Sequence, residues 1–412
     1  MPIDFHLGAT EGAAHAAAQH NLQSARFRQL NHEQHHERFQ NTRPIYAAAV
    51  RRGLLEKQMI KPEHGGSFKS LRSAVPLNPP RLTIFATLLG LVPLNITGTS
   101  QHTEFLAPFL TCKGAPLASL VFSEPGGVTN VLEKGAPSLQ TTARRDGDEW
   151  VINGQKIWAT NCAGWDFKGC ELACVVCRDN TNPRPSRTGG DPRESTMIIL
   201  VTRADLDRNP AGSFEVLRHI SMPGHTSTSG PHVRYTNVRV PAKNVLCPPG
   251  QGMQTVLTAF DITAVLVGAM GVGLMRAAFD AAAAQPPLER QPFADLLSGV
   301  KMQIEASRAM TWKAAHAWQD GPGDYDARRE LALAAKIFCT DAAVKACTDI
   351  INAVGTTACD PDQPFAQLLN TAMALPIFDG GNVGIWRRHM QQLMLSPTYD
   401  PWAATYGPSK RE

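Results

Sequence analysis

The sequence predicts an α+β chain in which helices come first, strands second and helices again last. Three observations carry that order. Ala- and Gln-rich segments with helix-start signals occupy residues 10–113, β-branched and aromatic runs broken by turns occupy 117–240, and helical periodicity returns from Gly252 onward. The expected units are an N-terminal helical domain over 1–113, a central β-barrel or sheet domain over 114–243 and a C-terminal helical bundle over 244–412. A chain of 412 residues with 43% hydrophobic content can bury a core of that size.

In the first unit, Pro44 marks a helix start before IYAAAVRRGLL, and Gly53 interrupts near its C-terminus. VPLNPP forbids a helix between Pro76 and Pro80, after which TIFATLLGLVPL supplies an apolar one. The second unit reads as LASLVF, then SLQTTARRDGDEWVINGQKIWAT, LACVVC, TMIILVT and VRYTNVRV. Asp146-Gly147 between two alternating runs is a hairpin signal, and NTNPRPSRTGGDPRE is a surface loop. The third unit carries Ala-rich helices around 254–284, 292–319 and 326–354 and a last one after Gly381.

The 40 basic and 36 acidic residues are dispersed, with no basic block longer than a pair, so nucleic acid is not expected as a partner. A small acidic, polar or acyl-type molecule fits better. Nine cysteines, several inside apolar runs, suit a reducing compartment, and the start MPIDFHLGATEG has no basic region followed by an apolar one. The end, PSKRE, is not a peroxisomal tripeptide, and a cytoplasmic location is the expectation. The apolar stretch from Ile262 to Met275 is broken by glycines and short for a bilayer, so it reads as a core helix and no membrane partner is expected. Cys170, Cys174 and Cys177 fall in or beside a strand where side chains alternate, which disfavours a metal site; His32, His35 and His36 read as a solvated helix face.

Three motifs can carry chemistry. SEPGGVTN, from Ser123 to Asn130, ends a strand in a small-residue turn that can bring backbone N–H groups to a phosphate or planar ring, although most such runs are only turns. GQKIWATN puts Trp158 and Thr160 on one strand face at period two, an aromatic wall beside a hydroxyl, with a core tryptophan as the commoner reading. In IFDGGNVGIWRRHM, Asp379 precedes a double glycine and a new helix, the usual place of an N-cap.

Taken in that order, the motifs resemble those of the acyl-CoA dehydrogenase superfamily, whose TEPGAGSD and KxWxTN correspond to SEPGGVTN and KIWATN. The resemblance is nearest to its nitroalkane oxidase branch, through RFQNTRPIYAAAVRRGL, LQTTARRDGDEWVINGQKIW, GWDFKGCELACVVCR, TSGPHVRYTNVRVP, IFDGGNVG and the tail DPWAATYGPSK, and it covers nearly the whole chain. It implies an acyl-CoA dehydrogenase-like fold, FAD as cofactor, molecular oxygen as co-substrate and a homotetramer. It also implies that Asp379 takes the α-proton of a nitroalkane, with aldehyde, nitrite and hydrogen peroxide as products. By the same resemblance Thr263 stands where the oxidases place a serine that orients the base. Thr160 would bond the flavin ring, Trp158 would flank it, and Ser123 and Thr129 would hold its pyrimidine edge and pyrophosphate. Phe122, Gly127, Gly355, Gly381 and Asn382 also fall along the implied cofactor site, and Ile377 and Phe378 would wall the base.

Two departures accompany the resemblance. The family places an arginine seven residues after the carboxylate, whereas this chain has Trp386; Arg387 is turned away by about 100°. Asp379 is therefore expected to lack a cationic partner and to have a raised pKa. The segments SAVPLNPP and QPPLERQ are short for the family, with Arg290 a partial replacement for a lost arginine stretch. A repurposed monooxygenase or dehydrogenase of the same superfamily, and a flavin-free scaffold, are the alternative readings.

Overall fold

A computed structural model of the chain describes residues 35–68, 82–127, 139–181, 192–285 and 291–409. Thr129, the VPLNPP segment, most of the Pro/Arg/Gly-rich loop, Arg290 and His32 lie outside the described residues. The first helices are short except for α1 (Arg43–Arg51) and α2 (Leu82–Thr97). Helix α1 starts with Pro44 in its first turn, and Gly53 just beyond it takes the left-handed conformation, with φ of 83°. Helix α2 is buried along most of its length, with Pro93 inside it, and packs on the first strand.

Among the described residues eight strands form one sheet: β1 (Ala118–Val121), β2 (Thr142–Asp146), β3 (Glu149–Lys156), β4 (Leu172–Asp179), β5 (Thr196–Thr202), β6 (Phe214–Arg218), β7 (His232–Pro241) and β8 (Val245–Cys247). Their order is β6-β7-β3-β2-β4-β5-β8, with β1 lying parallel to β4. The Asp-Gly signal is a two-residue hairpin, with Asp146 paired to Glu149. Strands β4 and β5 are buried on both faces, so they read as continuous apolar runs. Two strands escape the sequence pattern: β6 is half-exposed, and β8 is three residues long and carries the sheet past 243.

The bundle consists of α3 (Gly252–Ala283), α4 (Gln291–Asp320), α5 (Tyr325–Val354), α6 (Phe365–Ala374) and α7 (Arg387–Met394). Helices α3 and α5 approach so closely that a Cβ at Gly271 would meet the Cys339 carbonyl oxygen at 2.7 Å, which is why glycine stands there. Helix α3 corrects the expectation from its inner apolar stretch. At 32 residues it is long and apolar enough to cross a membrane, but 72% of its most apolar window is buried within the fold. Helix α6 was not expected; ten residues between turns give periodicity little room to register. Apolar side chains from α1, α2, the sheet and the bundle form one contiguous core.

Candidate active site

The site lies where α2, the end of β1, α3 and the segment before α7 converge. Asp379 sits on a tight turn, in the left-handed region at φ of 55°, followed by Gly380 at φ of 73°. For a non-glycine residue that conformation costs of order 1–3 kcal/mol and must be held by its surroundings. The holding groups are visible. The Trp386 indole N–H donates to the Asp379 carbonyl oxygen at 2.8 Å, and the indole lies so close over Gly380 that a Cβ there would come within 2.4 Å of it. Lys336 of α5 donates from Nζ to the Gly380 carbonyl oxygen and to Asn382 Oδ1, both at 3.0 Å. Asn382 Nδ2 donates in turn to Thr340 Oγ1 at 2.9 Å and Asp341 Oδ1 at 3.0 Å. The helix that follows opens with a π-turn over Asn382–Trp386 rather than a regular first turn.

The carboxyl group of Asp379 does not cap that helix. The residue is 8% exposed, and Thr263 Oγ1, one-third of the way along α3, lies 3.0 Å from both carboxyl oxygens. The same hydroxyl is 2.9 Å from the Ala259 carbonyl oxygen. It can therefore donate to an ionised Asp379, or accept from a protonated one while donating to Ala259. Burial raises the Asp379 pKa above the ordinary carboxylate range, opposed by Lys336 and the Thr263 hydrogen bond and aided by the negative charge of Asp261. Burial likewise lowers the Lys336 pKa, opposed by Asp379 and Asp341. The expected raised pKa is thus present, with burial as its first cause, and no cation lies within ion-pair distance of Asp379 among the described residues, although Lys336 acts on it from farther off. The ammonium comes from α5, across the bundle, where local spacing around Asp379 gives no hint of it.

Aromatic rings close the pocket. Phe122 meets Phe260 edge-on at 6.0 Å, Phe260 meets Trp386 at 6.4 Å, and Phe378 lies 6.0 Å from Phe85 and 5.7 Å from the His225 ring. Ile377, expected as part of this wall, is 73% exposed and takes no part in it. His225 is buried, both of its ring nitrogens lack a hydrogen-bond partner among the described residues, and burial draws its pKa down to about 4. Its ring is therefore neutral at neutral pH, with one donor and one acceptor unused.

The other sequence-predicted residues separate into those near this pocket and those away from it. Trp158 and Thr160 lie beyond the end of β3 rather than on a strand face, because Trp158 enters the left-handed region at φ of 62°. Trp158 is 47% exposed, which excludes the core reading. The Thr160 carbonyl oxygen accepts from Ser119 Oγ at 2.7 Å. Ser123 is tied to the same segment, its carbonyl oxygen accepting from the Ile157 N–H at 3.0 Å. Gly126 and Gly127 have positive φ, with no described atom within 4 Å of the Cβ each lacks. Gly381 adjoins the turn, whereas the Asn382 amide is consumed in holding it and is not presented to a ligand. Gly355 ends α5, 19 residues beyond Lys336 and so roughly 28 Å along the helix, and does not join Asp379 within one chain.

Sequence reading missed Lys336, His225 and the buried Lys156–Glu124 ion pair at 2.9 Å behind the SEPGG turn. A signal existed for both lysines. Lys336 falls in helical register with Ala332, Cys339, Ala343 and Ile350, and Lys156 in strand register with Trp150 and Ile152, so each occupies a core-facing position. His225, in an irregular loop, has no such register.

Helices precede and follow the sheet along the chain, and a buried carboxylate lies at their junction, the arrangement expected for the acyl-CoA dehydrogenase class. Residues 250–394 match the family described as acyl-CoA dehydrogenase, C-terminal domain. The chain is 66% identical to a nitroalkane oxidase of Podospora anserina over 99% of each chain, and 41% identical to one of Fusarium oxysporum over 99% of this chain and 98% of that one. The solved structure of the Podospora anserina nitroalkane oxidase superposes with a TM-score of 0.94 at 64% identity, covering 98% of this chain and all of that one. The chain belongs to the nitroalkane oxidase family.

Proposed function

We propose that this protein is an FAD-dependent oxidase that takes the α-proton from a nitroalkane. With nitroethane the balanced reaction is nitroethane, oxygen and water giving acetaldehyde, nitrous acid and hydrogen peroxide. The observation that carries the reading is the buried Asp379 carboxyl group, held by Thr263 at the wall of an aromatic pocket. A carboxylate raised toward the operating pH is a stronger base than an exposed one, and the α-carbon of a nitroalkane is acidic enough to yield to it.

The residues present fit FAD. A half-exposed Trp158 ring and a glycine cradle at Gly126 and Gly127 suit a large planar group with polar edges. Trp158 and Thr160 would flank the ring and Ser123 its polar edge, with Phe122 behind. When bound, FAD accepts the electrons of the deprotonated substrate and passes them to oxygen. The chain's own part is to exclude water, through Phe85, Phe260 and Phe378, and to receive the proton at an Asp379 carboxyl oxygen. The Thr263 hydroxyl accommodates both states, turning its proton to the carboxylate before transfer and toward Ala259 after it.

Self-assembly into a homotetramer, with the last helices packing between subunits, is supported by exposed apolar side chains such as Met302, Phe338, Met373, Val383 and Leu395. Nine unpaired cysteines support a cytoplasmic setting. The activity is tested by incubating the purified protein with FAD and nitroethane and measuring nitrite and peroxide. The expected result is equimolar nitrite and peroxide from the native chain, a rate that rises with pH as Asp379 ionises, and loss of at least about a hundredfold in kcat/KM in Asp379→Asn. A yellow native protein that forms neither product contradicts the reading.

A further inference from the structure

Lys336 is fully buried, on the face of α5 turned toward the Asp379 turn. A buried ammonium is costly unless anions and hydrogen bonds compensate it, and two of its donors go to the Gly380 carbonyl oxygen and to Asn382 Oδ1. Both acceptors belong to the segment that aims the base. Two carboxylates act on Lys336, those of Asp379 and Asp341. Asp341 already has Arg387 at 2.6 Å and the Asn382 amide, whereas Asp379 has no salt-bridge partner of its own among the described residues. Position 386, where an arginine was expected, carries an indole that contributes a hydrogen bond to backbone and no charge.

The other charged side chains around the pair are already engaged, and the remaining titratable group, His225, has no hydrogen-bond partner among the described residues and a pKa that burial draws down. Asp261 on α3 is held by Arg329 at 3.0 Å and by the Tyr325 hydroxyl at 2.7 Å. His389 on α7 lies 2.7 Å from Arg329 through Nδ1, and burial draws its pKa down to about 4. His225 approaches from the loop before β7 with its ring against Phe378. Lys336 is therefore the cation left to serve Asp379.

We propose that Lys336 is a positioning residue for the reaction, supplying from α5 the counter-charge that keeps Asp379 ionised while fixing the Gly380–Asn382 turn on which it is aimed. The inference rests on Asp379 being the base, but not on the identity of the substrate. Trp386 and Lys336 both hold the backbone of the turn, and Lys336 alone of the two carries charge.

The test is an infrared pH titration of the FAD-loaded protein, following the protonated-carboxyl band that Asp379→Asn removes, together with the pH profile of kcat/KM for nitroethane. Lys336→Gln keeps side-chain donors and removes the charge, and Lys336→Met removes both. In each, the midpoint of the Asp379 band should move up by about one pH unit or more. Each unit should appear as about a tenfold loss of kcat/KM on the acid side, with the profiles converging toward the native value at high pH. Lys336→Arg should keep the midpoint near the native one, and adding Trp386→Arg to Lys336→Gln should bring it back down. An unshifted midpoint in Lys336→Gln, or a loss of rate that is uniform across pH, overturns the proposal. If the native protein turns over no nitroalkane but the band still moves, the proposed activity fails and the role of Lys336 stands.

Discussion

At the scale of single residues, the site depends on a hydroxyl whose position matters more than its acidity. Thr263 is β-branched and within a helix, so its side chain is confined to few rotamers and stays beside both Asp379 oxygens. Thr263→Val keeps that shape and removes only the hydrogen bond. A hydrogen bond to a charged group contributes about 1.5–3 kcal/mol, so the ionised carboxylate should be disfavoured by that order and kcat/KM near neutrality should fall about ten- to a hundredfold. Little loss of thermal stability is expected, and unchanged kinetics would show that the hydroxyl serves only Ala259. Asp379 and Thr263 were legible through the family resemblance, since on its own residues Asp379 reads as a helix cap and Thr263 is marked only by standing where the oxidases place a serine. The cation was not legible from the same reasoning. Expectation looked for it along the chain from Asp379, at 386 and 387, whereas charge acts through space and arrived from a helix more than forty residues earlier.

At the scale of elements, the long helices and buried strands were readable because burial imposes a period on the sequence, whereas β6, β8 and α6 are too short or too exposed for one to register. The turn after β1 depends on a device that periodicity marks only faintly. Lys156 of β3 donates to Glu124 Oε1 and to the Phe122 carbonyl oxygen, both at 2.9 Å, and Glu124 accepts from the Gln140 and Thr141 N–H groups. That buried pair joins the SEPGG turn to β3 and to the approach into β2, and so holds Phe122 and Ser123 in place. Removing one partner of a buried pair leaves an uncompensated charge and costs about 3–5 kcal/mol. Lys156→Met should accordingly lower stability by that amount in chemical denaturation and release FAD. Adding Glu124→Gln should recover part of the loss. A double variant no more stable than the single one would show that the pair is not acting through its charge.

At the scale of the whole molecule, cofactor binding and assembly should appear as linked stabilisation. A ligand that binds only the folded state raises its stability by about 2.7 kcal/mol at a hundred times its dissociation constant. The glycine cradle and the half-exposed Trp158 are groups for which FAD would replace open space or solvent. The apoprotein should therefore unfold several degrees lower than the FAD-loaded protein, with the difference growing as FAD is added. Gly355 tests the larger assembly. It lies far from Asp379 in its own chain, at the end of α5, so it can take part in a flavin site only if another subunit brings it there. In that case FAD should favour the assembled state, and dilution should lower both flavin occupancy and melting temperature. Light scattering should give about four times the 44.7 kDa chain mass for the FAD-loaded protein. A stable FAD-loaded monomer whose melting temperature does not depend on concentration would mean that one chain completes the flavin site, with Gly355 outside it.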